Sequence, residues 1–437
     1  MRRRQITLLT RMQLIALLAT IMLTFQSAMA RESYQVIPAE VALHGNFERA
    51  QLLVQQVNKA GISDQNSNDL THTATYTSSD PAIVTVDSRG RLLAVSNGQA
   101  VIRVKIKRWK SDVTVIVDGV VEEPDIQFLE QITPVLSKHG CNMGACHASQ
   151  HGKGGFILSI FGFDPGKDRR NIAQDRLQRR VNFIEPENSL LLLKPTLTVP
   201  HGGGLRLKKN SVDYQLLLAW LKGGALEQNG ETRKVTSLKV TPSSRVGQLG
   251  MKQQLRVEAG FDDGSVRDVT ALARYDSMDE GMLSVDDAGL VEVLGAGQGP
   301  VMVRFENQAA IVNVLIPYSG SADLAGWSNN NFVDELAARK FRDLGIEPSG
   351  ICEDATFIRR AFLDSIGGQP TPDEVRAFLE SEDPDKRTNL VDQLLGLTGD
   401  SQKDIYNDRY AAFWTLKWSD LIRNNSNDLG EQGMWAM

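Results

Sequence analysis

The sequence predicts a multidomain chain in which two all-β sandwiches flank an all-α domain, followed by an α-helical C-terminal domain. Short strands with alternating apolar residues occur twice, at residues 34–118 and again at 235–317. Between them, at 124–229, apolar residues recur with helical spacing. From residue 329 to 437 the helical pattern and helix start signals return.

The N-terminus predicts an export signal at residues 1–30. Three arginines (Arg2–Arg4) precede an apolar run from Met12 to Phe25, and Ser27–Ala30 has the small-residue pattern of a cleavage site. An uncleaved anchor is the alternative, but the run is short beside the roughly 20 residues that span a bilayer. We therefore expect a protein of the periplasm or cell surface, with no membrane span after cleavage.

Composition narrows the functional classes. The 437 residues are 41% hydrophobic and carry a net charge of −5, which describes globular protein and gives no sign of a nucleic-acid partner. The sequence has neither a G-x-S-x-G motif nor a phosphate-binding loop. Whether the chain is an enzyme stays open, and electron transfer is favoured over substrate turnover.

The two β-rich segments form an internal repeat with an offset of 199 residues. At this offset Tyr76 aligns with Tyr275 and Asp80 with Asp279, and Gly90 aligns with Gly289. Both copies resemble the bacterial immunoglobulin-like group 2 domain. The resemblance rests on the stretch from Ser79-Asp80-Pro81 to Leu92 in the first copy and on the stretch 199 residues later in the second. The resemblance implies spacer or adhesive modules without chemistry. Acidic pairs in the turns, Asp262-Asp263 and Asp286-Asp287, leave calcium binding open.

The middle segment contains the residues that carry chemistry. A predicted helix from Pro124 to Lys138 leads into Cys141-Asn142-Met143-Gly144-Ala145-Cys146-His147, and a second helix is predicted at Asp213–Leu221. A Cys-x-x-Cys-His run attaches haem covalently, but here four residues separate the cysteines. Haem attachment, a Cys141–Cys146 disulfide, and a zinc site that adds His151 or His201 are the three open interpretations.

Residues 125–229 resemble the cytochrome-c-like domains named for the Planctomycetes. The resemblance rests on three ordered motifs, namely Phe128…Ile132…Pro134-Val135-Leu136 before the cysteines, Pro186-Glu187-Asn188-Ser189-Leu190-Leu191-Leu192, and Trp220-Leu221-Lys222-Gly223-Gly224-Ala225. It implies haem c, with Cys141 and Cys146 as thioether anchors and His147 as the proximal iron ligand.

The resemblance also indicates a distal iron ligand. Where the family commonly has Met-Pro-Pro-Gly, this chain has Val199-Pro200-His201-Gly202. Valine cannot bind iron, so His201 becomes the candidate distal ligand, with His151 and His139 as further candidates. Two histidine ligands should give a lower reduction potential than a histidine and a methionine.

The C-terminal segment, residues 329–437, resembles the start of the helical domain of unknown function that follows such cytochromes. The matching stretches are Phe357-Ile358-Arg359-Arg360-Ala361-Phe362-Leu363-Asp364, Gly367–Val375, and a run with Trp414, Trp418 and Asp420. The segment is expected to be incomplete, and no activity follows from this resemblance.

The function expected from these observations is an exported haem-c electron carrier or redox module with an unidentified redox partner. The alternative is a non-redox scaffold at the cell surface, associated with polysaccharide, in which Cys141 and Cys146 form a disulfide in a haem-free domain. A basic, glycine-rich stretch, Lys153–Phe156 with Arg169, Arg170, Arg179 and Arg180, suits haem propionates or an acidic glycan.

Overall fold

The computed structural model describes residues 33–58, 60–226, 233–320 and 322–436, so the predicted signal peptide at 1–30 lies outside the described residues. The chain divides into two compact units, Met1–Glu347 and Pro348–Met437. Strands predominate in the described part of the first unit, and the second unit is helical.

The first unit contains two β repeats with the same strand order. The first repeat consists of β1 (Ser33–Ile37), β2 (Glu40–His44), β3 (Arg49–Gln51), β4 (Leu53–Val57), β5 (Thr75–Ser78), β6 (Val84–Val86), β7 (Arg91–Ala94), β8 (Gly98–Ile106) and β9 (Trp109–Asp118). These strands form a four-stranded sheet, β2-β9-β8-β5, a three-stranded sheet, β3-β7-β6, and the pair β1-β4. In β8, burial alternates as a half-buried strand requires, with Ala100, Ile102, Val104 and Ile106 inside.

The second repeat follows the same plan with one additional strand. It consists of β10 (Val235–Thr241), β11 (Ser244–Val246), β12 (Lys252–Gln254), β13 (Arg256–Phe261), β14 (Val266–Asp268), β15 (Arg274–Ser277), β16 (Leu283–Val285), β17 (Leu290–Val293), β18 (Gly297–Phe305) and β19 (Gln308–Ile316). The sheets are β11-β19-β18-β15, β12-β17-β16 and β10-β13-β14.

The two repeats hold each other through a reciprocal pair of hydrogen bonds. The backbone N–H of Gln51 donates to Asp268 Oδ2 (3.0 Å), and the backbone N–H of Gln254 donates to Asp69 Oδ2. Burial raises the pKa of both carboxyl groups. Because each repeat supplies one acceptor and one donor, the interface is built from equivalent positions of the two copies.

The segment between the repeats is irregular, with short helical pieces. These are a π-helical turn at Phe128–Ile132, α1 (Thr133–Lys138), α2 (Pro165–Ala173), α3 (Leu190–Leu193) and α4 (Val212–Lys222), with a left-handed turn at Asp175–Gln178 and 3-10 turns at Lys153–Gly155, Ile160–Gly162 and Pro186–Asn188. The longest helix, α4, has eleven residues. Ser211 caps α4 by accepting from the backbone N–H of Tyr214.

The expected fold class, two immunoglobulin-like sandwiches flanking an all-α cytochrome-c-like domain, is wrong. The apolar residues of the middle segment, such as Ile132, Leu192 and Trp220, belong to one buried cluster together with Val257, Val303 and other core residues of the second repeat. Turns make up much of the segment, and its helices are too short to enclose a separate core. The first unit is therefore a β-rich body into which the middle segment is packed.

Helices make up the remaining described elements. They are α5 (Phe332–Leu344) in the first unit, and α6 (Asp354–Ile366), α7 (Pro372–Glu380), α8 (Lys386–Leu395), α9 (Asn407–Leu421) and α10 (Ser426–Ala436) in the second. Thr371 and Glu374 form a capping box at the start of α7. The core of the second unit centres on Ile358, Phe362 and Leu394.

Candidate functional site

The loop with the two cysteines folds back on itself directly after α1. Gly140 follows the helix with φ of +71°, a left-handed conformation that glycine adopts without strain. The backbone N–H of Cys141 donates to the Leu136 carbonyl (2.9 Å), and that of His147 donates to the Cys141 carbonyl (3.1 Å). The loop thus returns His147 to the side of Cys141.

Cys141 and Cys146 are both free thiols in the structure. Cys141 packs against the main hydrophobic core. Burial, reinforced by Cys146 and opposed by Arg206, raises the pKa of the Cys141 thiol to about 12. Burial thus stabilises the neutral, protonated form of the Cys141 thiol.

His147 is oriented by a backbone carbonyl. Its Nδ1 lies 3.1 Å from the carbonyl oxygen of Phe156, and its ring packs on the Phe156 ring with the ring centres 4.6 Å apart. Because a carbonyl only accepts, Nδ1 carries the hydrogen and Nε2 keeps a free lone pair. Burial lowers the pKa of His147 although the hydrogen bond to the Phe156 carbonyl opposes it, and the lowered pKa favours the neutral ring that binds metals.

His201 is oriented in the same way by its own glycine-rich loop. Its Nδ1 lies 2.8 Å from the Gly204 carbonyl oxygen, so its Nε2 is also left as the free acceptor. A Cβ at position 203 would lie 2.8 Å from His201 Cε1, so the ring position requires glycine there. The rings of His147 and His201 have centres 6.4 Å apart and planes 18° apart.

A cavity of about 370 Å³ lies against these groups. Its walls include Cys141, Cys146, His147 and His201, with apolar side chains from α1, α3 and α4. Six cationic side chains line it, namely Lys153, Arg176, Arg179, Arg180, Lys194 and Arg206, and there is no carboxylate among the lining residues that the structure describes. The volume and the apolar part of the wall are typical of a cofactor pocket, and the ring of cationic side chains favours an anionic ligand.

The structure separates the other two candidate histidines from His147 and His201. His139 lies on the cavity wall, but its Nε2 is 3.0 Å from Asp213 Oδ2. His151 is exposed and lies outside the cavity, in a stretch of turns and not on a helix shared with His147. Of the three candidate distal ligands, only His201 faces His147 with its Nε2 unengaged.

Asp213 is the buried centre of an ion cluster behind the cavity. Arg49 Nη1 lies 2.7 Å from Oδ1, and Lys138 Nζ lies 2.9 Å from Oδ2, which His139 also contacts. Burial alone would raise the pKa of Asp213, but Arg49, His139 and Lys138 outweigh it and hold the pKa well below its ordinary value. The cluster joins β3 of the first repeat to α1 and α4.

The metal alternatives receive no geometric support in the described part of the chain. There, no group of three or more His, Cys, Asp or Glu side chains is placed to hold a metal ion. At least one carboxylate of each acidic pair considered for calcium instead accepts backbone hydrogen bonds. Asp262 accepts from the Lys234 N–H, and Asp286 accepts from the N–H groups of Ala288 and Leu290.

Sequence reasoning missed several contributors to the site. The Phe156 and Gly204 carbonyls that orient the histidines have no sequence signal, since any residue supplies a carbonyl. Lys194 and Arg206 were also missed, although they flank the His201 loop in sequence. Of the predicted basic patch, Lys153, Arg179 and Arg180 line the cavity, whereas Arg169 is buried elsewhere and donates to the Ala225 carbonyl.

Comparison with known families supports one part of the sequence analysis. Residues 332–436 match the family described as "PSCyt2: Protein of unknown function (DUF1549)". The predicted resemblance of the C-terminal segment to a helical domain of unknown function is therefore confirmed. The match covers less than half of the chain and does not include the cysteine loop. Among curated proteins nothing matches this chain.

Solved structures that are similar to this chain include surface-layer proteins and an adhesin. Domains 5–6 of the S-layer protein SbsC align over 65% of this chain and 97% of that one, with 12% identity and a TM-score of 0.26. SbsC domains 1–6 show 10% identity and a TM-score of 0.17, and the match covers 61% of this chain but only 23% of that one. The Yersinia pseudotuberculosis adhesin InvE shows 9% identity and a TM-score of 0.15, and the match covers 67% of this chain and 61% of that one. TM-scores this low carry no functional argument.

No helix among the described residues has the length and apolar character needed to cross a membrane.

Proposed function

We propose that this chain is an exported one-electron carrier or redox module, at the cell surface or in the periplasm, whose cavity holds haem c. Cys141 and Cys146 are the thioether anchors, His147 is the proximal iron ligand and His201 is the distal ligand. A bound haem supplies an iron that changes between ferric and ferrous states, and the chain supplies attachment, orientation and exclusion of water.

The arrangement of the two imidazoles carries this proposal. A metal–imidazole nitrogen bond is about 2.0–2.1 Å, so two imidazoles that would bind one metal can have ring centres up to roughly 6 Å apart. The ring centres of His147 and His201 are 6.4 Å apart. Each Nδ1 donates to a backbone carbonyl, which fixes the tautomer that leaves Nε2 free for a metal.

The rest of the donor set also fits a haem. A porphyrin provides the remaining iron ligands, so a site with two protein ligands suffices, in line with the absence of a three-ligand cluster among the described residues. The two thiols are free and lie on the same cavity as both histidines. Arg206, beside Cys141, can neutralise a propionate group, whereas Arg180 is already paired with Asp175 (2.9 Å).

The test is haem staining of the denatured, exported protein together with its absorption spectrum. Covalent haem survives denaturation and gives a sharp reduced α-band, and Cys141→Ser with Cys146→Ser should abolish the stain. A colourless protein whose mass is lower by two hydrogens at Cys141 and Cys146 would instead indicate a disulfide scaffold and contradict the proposal.

Variants of the distal ligand test the second half of the assignment. His201→Met should keep covalent haem and raise the reduction potential, because thioether ligation favours ferrous iron. His151→Ala is the matched control, since His151 is exposed and outside the cavity. Equal potentials and identical ferric spectra for His201→Met and the wild type would show that His201 does not bind the iron.

A further inference from the structure

Positive charge is concentrated in part of the middle segment, although the protein as a whole is acidic. Residues 153–209 contain eleven lysines and arginines against five aspartates and glutamates, whereas the whole chain has a net charge of −5. Lys153, Arg176 and Arg179 are three of the five exposed cationic side chains that line the cavity, and the other two are Lys194 and Arg206. Neither Lys153 nor Arg179 has a side-chain hydrogen bond or ion pair to any residue in the described part of the chain. Their charges are therefore available to an incoming anionic surface.

An apolar side chain projects from the middle of this basic surface. Arg176, Leu177 and Gln178 have φ of +53°, +57° and +61°, so three consecutive non-glycine residues are left-handed. Leu177 is 99% exposed. A left-handed run of this kind is uncommon for residues other than glycine, and here it directs a leucine into solvent between Arg176 and Arg179.

We propose that Lys153, Arg176, Leu177 and Arg179 form a docking surface for an acidic electron-transfer protein, with Leu177 as the apolar contact at its centre; this inference rests on the proposed haem function. We call these four residues the docking surface. Complementary charge steers encounters and an apolar contact holds the complex, which is the usual division of roles at a protein interface.

Two other occupants fit the observations less well. A polysaccharide has the negative charge but accepts no electron, so it gives no reason for the charges to surround a redox cavity. A second copy of this chain would bring its own docking surface of the same sign, and like charges placed opposite each other oppose association. An acidic redox protein satisfies both the charge and the position.

The experiment uses the haem-loaded protein and a plant-type [2Fe–2S] ferredoxin as the acidic one-electron carrier. Binding of oxidised ferredoxin is measured by calorimetry at low and high salt, so that no electron moves during the titration. Separately, reduced ferredoxin is mixed with the ferric protein. One electron then passes from the cluster to the iron, which oxidises the cluster and reduces the iron, with no proton transferred.

We expect Arg179→Glu to weaken ferredoxin binding roughly tenfold at low salt and much less at high salt. Lys105→Glu is the matched control, since Lys105 is an exposed lysine of β8 in the first repeat and the charge change is the same. Leu177→Ala should weaken binding a few-fold at both salt concentrations. Electron-transfer rates below saturation should fall in the same order.

Several results would overturn the proposal. Equal effects of Lys105→Glu and Arg179→Glu would mean that only net charge matters. If Arg179→Glu slows oxidation by ferricyanide but leaves ferredoxin binding unchanged, the surface attracts small anions only. Competition by polygalacturonate, without ferredoxin binding, would indicate a glycan surface. Self-association that is abolished by Arg179→Glu would indicate that a second copy of this chain occupies the docking surface. A sample without haem in its spectrum before titration would refute the redox function itself, and the docking role with it.

Discussion

The buried carboxylate of Asp213 gives the sharpest test of how the cavity is held. Its side chain is 6% exposed and meets Arg49, Lys138 and His139 at 2.7, 2.9 and 3.0 Å. Asp213→Asn keeps the shape but removes the charge. The three groups around Asp213 then lose the negative charge that they share, and two of them, Arg49 and Lys138, remain charged and largely buried.

The size of the expected stability loss follows from this burial. Removing one partner of a buried ion pair costs about 3–5 kcal/mol, because the remaining charge stays desolvated. The amide oxygen of asparagine keeps one hydrogen bond, so we expect a loss near the lower end, about 3 kcal/mol. Out of a total stability of roughly 5–15 kcal/mol, this is a large fraction. The lost contacts connect α1 and α4, and both helices line the cavity.

The assay compares two matched substitutions by urea unfolding at neutral pH. Asp112→Asn is the control, since Asp112 also pairs with an arginine, Arg103, but its side chain is 48% exposed and should contribute nothing measurable. Because the pKa of Asp213 lies below its ordinary value, its contribution should be complete above about pH 4 and be lost only in stronger acid. Equal unfolding midpoints for the two variants would refute the reasoning.

Three further predictions concern other parts of the first unit. Burial, then the charge of Glu130, raises the pKa of Glu306 to about 7, despite opposing Arg267 and Arg233. Ionising Glu306 therefore costs stability as pH rises, and Glu306→Gln should be more stable than wild type by about 1–2 kcal/mol above pH 7, after allowance for partial exposure, and no different near pH 4. Thermal melts across this pH range check it, and a constant difference would contradict it. A Cβ at Gly152, where φ is +60°, would lie 2.0 Å from the Phe156 carbonyl oxygen that orients His147, whereas nothing lies within 4 Å of one at Gly144. Gly152→Ala should therefore destabilise the protein by about 1–3 kcal/mol and broaden the His147 ring signals in NMR, with Gly144→Ala neutral; similar behaviour of the two variants would count against this account. Finally, an excised fragment of residues 124–229 should show no cooperative thermal transition, whereas residues 33–347 should melt cooperatively; a cooperative transition of the fragment would show that it has its own core.

The chemical residues of the candidate site could be named from sequence because their types are rare. The chain has three cysteines and six histidines, so a motif with two cysteines and a histidine is conspicuous. That His201 approaches His147 could be guessed only from the family resemblance. The orienting carbonyls of Phe156 and Gly204 could not be predicted, since they depend on how distant loops meet.

The all-α domain was predicted wrongly because helical periodicity reports which face is apolar, not what that face packs against. Trp220 and Leu217 on α4 have the expected helical spacing, and both are buried. Their buried cluster nevertheless continues into Val257 and Val303 of the second repeat. The same local pattern fits a segment with its own separate core and a segment that shares a core with another domain. Only the tertiary contacts distinguish the two cases.

The shared core gives the β repeats a role in the proposed function beyond spacing. The cavity wall is anchored to the first repeat through Arg49 and Asp213, and to the second through Lys138, which also donates to the Ala271 carbonyl (2.9 Å). The repeats in turn hold each other through Asp69 and Asp268. A segment built mostly of turns cannot by itself keep two imidazoles at a fixed separation. Because both repeats brace α1 and α4, the rigidity that the proposed two-histidine ligation would need comes from the sheets. A substitution at the interface of the repeats should therefore perturb the cavity through the Asp213 cluster.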